Sequence, residues 1–265
     1  MNTRLLLLVL LFTSGCHNPH SSNGNIYGHD TAVTDRWLYM ALTNRYLENN
    51  GDSLDEVFVN WNKQLQPNRK SFIEQDERTK AVYDVFRQFY KSYDLLELGN
   101  LEWANKLNEN SRYVLIQDRI LYSVSTSEDP DSICKEILRD SIINFRPPVD
   151  VPRDKVLYLN VTFGQGLQNF LSSDQLSTTG QSQHISNDEA PVRQRLISSY
   201  VKLLPRNLGG SRHFTSDPYI TSIVFNSSLS MASIDFLVGY QGGNVTMKKV
   251  DGKWIIVRPE TNWIE

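Results

Sequence analysis

The feature that most constrains this chain is the punctuation of its C-terminal residues 219–265. Four apolar runs, at 219–225, 231–240, 245–250 and 253–258, are separated by Asn226-Ser227-Ser228, by Gln241-Gly242-Gly243-Asn244 and by Asp251-Gly252. Asp-Gly supplies the two positive-φ residues that a two-residue type I′ hairpin requires, and Gly242-Gly243 permits the same geometry at the preceding break. The spacing predicts an antiparallel β-meander of four strands. This is an inference about fold; no reaction is written in the sequence.

Within the meander, Ala232, Ile234, Phe236, Val238 and Tyr240 alternate with Ser233, Asp235, Leu237 and Gly239, which predicts one buried and one mixed face. The last run, Trp254-Ile255-Ile256-Val257, is continuously apolar, as expected of a strand covered on both faces or sitting in a curved sheet. A sheet face of this kind must be covered. The nearest candidate is the segment 190–204, where Val192, Leu196, Ile197, Tyr200, Val201 and Leu204 form one stripe, so a helix packed on the sheet is expected.

Earlier in the chain the period is helical. Residues 31–49 place Val33, Trp37, Met40 and Ala41, with Leu38 and Leu42 beside them, at helical spacing. Ser53 to Glu56 reads as a capping box ahead of Leu54, Val57, Phe58, Trp61 and Leu65, and Pro67 closes that helix. Ser71 to Glu74 repeats the box before Val82, Val85, Phe86, Phe89, Tyr90 and Tyr93, an aromatic stripe whose spacing predicts core packing. Runs at 112–117 and 120–124, divided by Asp118-Arg119, predict a hairpin or a bulged strand. Residues 137–145 are ambiguous between helix and strand, 155–160 predict a strand, and 166–172 a short helix. The organisation expected is a signal segment at 1–15, a tether at 16–30, an α+β region at 31–172, a mobile linker at 173–188 and a second α+β region at 189–265.

The N-terminus carries Arg4, an unbroken apolar run at 5–12, then Thr13-Ser14-Gly15-Cys16. Eight apolar residues are too few to span a bilayer as a helix, so the segment reads as a signal and not an anchor. It resembles the lipobox of bacterial lipoproteins, with Thr13 where that motif usually has an aliphatic residue. The resemblance implies a diacylated Cys16, export, and residence in the cell envelope, most simply at the outer membrane of a Gram-negative bacterium. Acylation of Cys16 leaves Cys134 as the one other cysteine, so no intrachain disulfide is expected. Cys134 itself lies between apolar neighbours and reads as a small buried hydrophobe. Residues 17–30, rich in Ser, Asn, Gly and His, read as a tether, and His17, His20 and His29 as solvated parts of it, not a metal site. Loss of Arg4 with the signal moves the formal charge from −3 to −4, a mild acidity with no footprint for nucleic acid. Hydrophobic content of 40% and aromatic content of 11% predict a folded body.

The closing hairpin, Val250-Asp251-Gly252-Lys253-Trp254 followed by aliphatics, resembles the last strands of NTF2-like and other cystatin-like proteins. The resemblance covers about the last 75 residues and implies a curved sheet wrapping a helix around a cone-shaped cavity. Some members of that family are enzymes and many only bind, and no catalytic motif of the family transfers to particular residues here. The fold class expected is therefore α+β, with N-terminal helices, a small antiparallel sheet, and a C-terminal helix on a four-stranded curved meander. Candidate chemistry is sparse. Asp235 could line a cavity as an acid, but alternation favours a wet face; an enzyme would use Asp235, His213 or Tyr240. Gly209-Gly210-Ser211-Arg212-His213, with Arg206 and Lys202 before it, is a candidate anion site at Arg206 and Arg212, although it follows a helix and lacks the P-loop pattern. His184 falls in the expected linker. Neither G-x-S-x-G, H-E-x-x-H nor paired CxxC occurs, and neither cofactor nor metal is expected. Tripeptides at Asp30, Asp52, Asp131 and Asp140 resemble an O-glycosylation motif of certain Gram-negative bacteria, aspartate-Ser/Thr-aliphatic. The function expected is a lipid-anchored envelope protein that binds a partner or a small ligand, or serves as a scaffold; the alternative is an NTF2-like hydrolase or isomerase.

Overall fold

The computed structural model describes residues 35–48, 51–65, 76–90, 111–128, 140–171, 174–175, 183–184, 189–202, 216–239 and 241–264. Thr31–Glu265 forms one compact unit of α+β class. Its helices are α1 (Asp35–Leu47), α2 (Gly51–Gln64), α3 (Glu77–Phe89), α4 (Val161–Leu171) and α5 (Glu189–Ser198). Its strands are β1 (Val114–Gln117), β2 (Arg119–Val124), β3 (Asp140–Ile143), β4 (Val156–Leu159), β5 (Asp174–Gln175), β6 (Gln183–His184), β7 (Tyr219–Phe225), β8 (Met231–Val238), β9 (Gln241–Val250) and β10 (Lys253–Ile264).

The main sheet has the order β10-β9-β8-β7-β2-β3. The C-terminal meander forms as its turn chemistry requires. Asp251 and Gly252 take φ of 49° and 78° between Val250 and Lys253, which face each other across the hairpin. The meander is also extended: β2 joins β7 in parallel, pairing Tyr122 with Ile223, and β3 closes the edge antiparallel to β2. Residues 112–124 are therefore neither a hairpin nor one bulged strand. β1 pairs in parallel with β4 in a separate two-stranded sheet, and the chain changes sheets at Asp118. Gln117 secures the change. Its side-chain Nε2 donates to the Ile220 carbonyl at 3.0 Å and its Oε1 accepts from the Ile220 N–H at 2.7 Å, so an amide side chain takes the place of a strand backbone.

Further expectations change with the structure. Gly242-Gly243 is not a turn but the start of β9; the turn is one step earlier, where Gly239 has φ 56° and Val238 faces Gln241. Gly243 sits under Phe236, and a Cβ there would stand 2.7 Å from Phe236 Cζ and 2.5 Å from the Glu260 carbonyl, so the glycine serves packing. β10 is an edge strand with one buried face: Trp254 is 3% exposed, whereas Ile255 and Val257 are 46% and 48% exposed. And in α1 the buried pair is Leu38 and Leu42, with Trp37 and Met40 facing out.

The helices pack where their apolar residues allow. On α2, Leu54, Val57, Phe58 and Trp61 are buried, and Leu65 behind it, because i, i+3, i+4, i+7 and i+11 share one stripe. The helix begins at Gly51, so Ser53 lies inside its first turn and not at its cap. The cap of α3 is Asp76, whose Oδ1 accepts from the Thr79 N–H at 2.9 Å; Ser71 to Glu74 lie outside the described residues. α3 packs on the meander, with Phe89 5.4 Å from Phe236. α5 packs on α4, and just past its end the Tyr200 carbonyl accepts from Tyr113 N–H at 2.8 Å, tying it to β1. An aromatic column crosses the helical layer: Phe163 lies 4.9 Å from Trp61, Trp61 6.1 Å from Phe58, and Phe58 4.5 Å from Tyr200. Trp61 Nε1 donates to the Tyr158 carbonyl at 2.9 Å, fastening this layer to β4. Of the ambiguous run 137–145, Asp140–Ile143 form β3 and 137–139 lie outside the described residues; α4 starts at Val161 behind Asn160, whose Oδ1 accepts from Phe163 N–H at 2.8 Å, and the expected linker holds the short pair β5 and β6.

Candidate functional site

The face of the main sheet turned away from α3 carries its polar residues. A bulge between Ile220 and Ser222 leaves Thr221 as the extra residue and brings Ser222 opposite Asp235, which lies opposite Asn244. Ser222 Oγ donates to Asp235 Oδ2 at 3.0 Å, and Asn244 Nδ2 donates to Asp235 Oδ1 at 3.0 Å and to Ser233 Oγ at 2.8 Å. The adjoining row is Val224, Ser233, Thr246 and Arg258 in register. Arg258 Nε meets Glu260 Oε1 at 3.1 Å beside it. Ser222, Ser233 and Thr246 are only 3%, 8% and 4% exposed, and Thr246 Oγ1 is a buried hydroxyl without a hydrogen-bond partner.

The mixed face expected of Asp235 is thus what the strand pairing produces. Its carboxylate accepts from two neutral side chains, which links three neighbouring strands through their side chains. His213, Tyr240, Arg206, Arg212, Cys16 and Cys134 lie outside the described residues, so Asp235 alone of the candidate trio has a described position. Among the described residues no group of three or more His, Cys, Asp or Glu is placed to hold a metal ion.

Two other positions were not singled out from the sequence. Asp118, at the change of sheets, is 7% exposed, and burial pushes its carboxyl up to about 6 against the opposing pull of the Arg146 charge. Arg193 on α5 is 3% exposed. Its guanidinium lies 5.0 Å from the ring centres of both Tyr46 and Phe170, with Nη1 donating to the Phe170 carbonyl at 3.3 Å and Nη2 facing Glu189 at 3.4 Å. The signal for it was present: 193, 197, 200 and 201 are spaced i, i+4, i+7 and i+8, which points position 193 inward in place of Val192, 42% exposed.

A third cluster braces the β7–β8 turn. Asn226 Nδ2 donates to Glu128 Oε2 at 2.9 Å, Ser228 Oγ donates to the same oxygen at 2.9 Å, and Ser227 donates to Glu128 Oε1. The Ser227 and Ser228 hydroxyls, with Asn226, hold the Glu128 carboxyl below its usual range. On the helical layer, Arg112 grips Asp55 through two bonds of 2.5 and 2.6 Å, and burial together with that carboxylate pushes the neighbouring Tyr200 hydroxyl up to about 12. These contacts bind one element to another and are satisfied within the fold. Compared with known proteins, the chain matches no family model, no curated protein and no solved structure.

Proposed function

We propose that this chain is a lipid-anchored cell-envelope protein that binds a protein partner or a small polar ligand, or serves as a scaffold, without transforming what it binds. The observation that carries the reading is the apolar run at 5–12 ending in Thr13-Ser14-Gly15-Cys16, a signal that ends in an acylatable thiol. Support for binding over catalysis comes from the sheet. On its covered side Phe236 packs against Phe89 and closes on Gly243, and Trp254 meets Phe225 at 5.9 Å, so large rings occupy the side where a cone-shaped pocket would open. On its other side a half-buried Asp235 is held by Ser222 and Asn244 in a polar row whose members Ser222, Ser233 and Thr246 are buried.

The test is metabolic labelling with a fatty acid and intact-mass measurement of the wild type and of Cys16→Ala. A lipid-sized mass increment and label on the wild type, both lost in the variant, are expected; an unlabelled wild type overturns the reading.

A further inference from the structure

Helix α1 carries two apolar stripes, and the fold fully buries one. Leu38 and Leu42 are 1% and 0% exposed, while Trp37 and Met40 are each 37% exposed and Leu47 is 72% exposed. At about 100° per residue, the three exposed side chains fall within roughly 80° of one another, with Asn44 among them. Trp37 is held from behind, its ring 5.8 Å from Phe163 in an edge contact. A tryptophan fixed at its inner edge, with a thioether and an isobutyl group on the same stripe, is the composition that settles at a bilayer interface.

Helix α1 is the first described element after the candidate anchor. Residues 17–34 separate Cys16 from Asp35, and a chain of that length reaches at most roughly 60 Å even fully extended. We propose that Trp37, Met40 and Leu47 form a membrane-seating face, resting in the headgroup region of the same bilayer that an acyl group on Cys16 enters. The inference rests on the lipid-anchor reading above. A stripe this small binds a bilayer weakly by itself, but a tether makes the contact intramolecular, with an effective concentration in the millimolar range. The mild acidity of the chain supplies no pull toward anionic lipid, so the seating is apolar and insensitive to salt.

The experiment uses two preparations of the full mature chain on phosphatidylcholine/phosphatidylethanolamine vesicles containing acyl-brominated lipid, which quenches tryptophan at the interface. One is the protein purified from membranes. The other begins at Cys16, carries Cys134→Ser, and is coupled at Cys16 to a maleimide lipid, so that it is anchored whatever the cell does. Quenching that falls by at least half in Trp37→Phe, and falls likewise in Met40→Ser/Leu47→Ser with an unchanged thermal midpoint, is the expected result. Vesicle-bound chain in both preparations without Trp37-dependent quenching overturns the seating and leaves the anchor standing, with the stripe then assigned to a protein partner. Quenching in the coupled chain alone, with the cellular protein unacylated, supports the seating affinity and overturns the anchor.

Discussion

Arg193 occupies a position on α5 where the helical period calls for an apolar side chain, and it is tolerated because three elements were shaped around it. Two aromatic rings take its faces, the end of α4 takes one donor, and Glu189 faces another. Truncation would leave a cavity and an uncapped carbonyl, so Arg193→Ala is expected to cost about 3 kcal/mol in urea denaturation, and Arg193→Lys, which lacks the planar group, to recover only a minor part. Asp118 makes a prediction in pH. Its carboxyl is raised from 3.8 to about 6 by burial, so between those values the folded chain holds a proton that the unfolded chain releases. Its contribution is present below the unfolded pKa and is lost as pH rises through the folded one. The wild type should lose on the order of 2 kcal/mol between pH 4 and 7 relative to Asp118→Asn, read from urea midpoints across that range. Neither residue was legible for what it does. The stripe read from the sequence put Val192 inside and passed over 193, and burial of an arginine there depends on Tyr46 and Phe170, which no local pattern connects to it.

At the scale of elements, two glycines in the meander do opposite work and separate cleanly by mutation. Gly252 has φ 78° and open space around its missing Cβ, so Gly252→Ala should cost only the conformational strain of a left-handed alanine, about 1 kcal/mol. Gly243 has an ordinary strand conformation but neighbours at 2.5 and 2.7 Å, so Gly243→Ala should cost about 3 kcal/mol. Trimming the ring in a Gly243→Ala/Phe236→Leu double variant should relieve only part of it, because the Glu260 carbonyl stays; full rescue would mean that the backbone yields. Both effects are measurable by chemical denaturation. This contrast explains what could be read in advance. Asp251-Gly252 announces its turn by residue type alone, and α2 announces its buried face by spacing alone. A glycine beneath an aromatic ring carries the same letter as a turn glycine, and the edge position of β10 depends on a strand order that the run Trp254 to Val257 does not contain.

Across the whole molecule, the expected division at 173–188 does not divide the main sheet, since β2 and β3 lie before it and β7 to β10 after it. A fragment 189–265 would lack the strand that pairs with β7 and also α3, so it is expected to show no cooperative thermal transition, where the chain from residue 16 shows one; a sharp melt of the fragment would contradict this. Gln117→Leu tests the seam more gently. It leaves the Ile220 N–H and carbonyl buried without their side-chain partner, at about 2–3 kcal/mol, with faster amide exchange at Ile220 and along β2. The pairing of residues far apart was the least legible part, because helix and turn signals are local and a seam between Gln117 and Ile220 spans 103 positions. That distance also governs when the protein can fold. While β7 is still being synthesised, β2 has no parallel partner and the covered side of the sheet cannot be assembled; contacts of such long range form slowly as well. The emerging chain therefore cannot close its main sheet until synthesis has run past Phe225, long after β2 has been made, and in that interval the apolar face of β2 has to be kept from other partners.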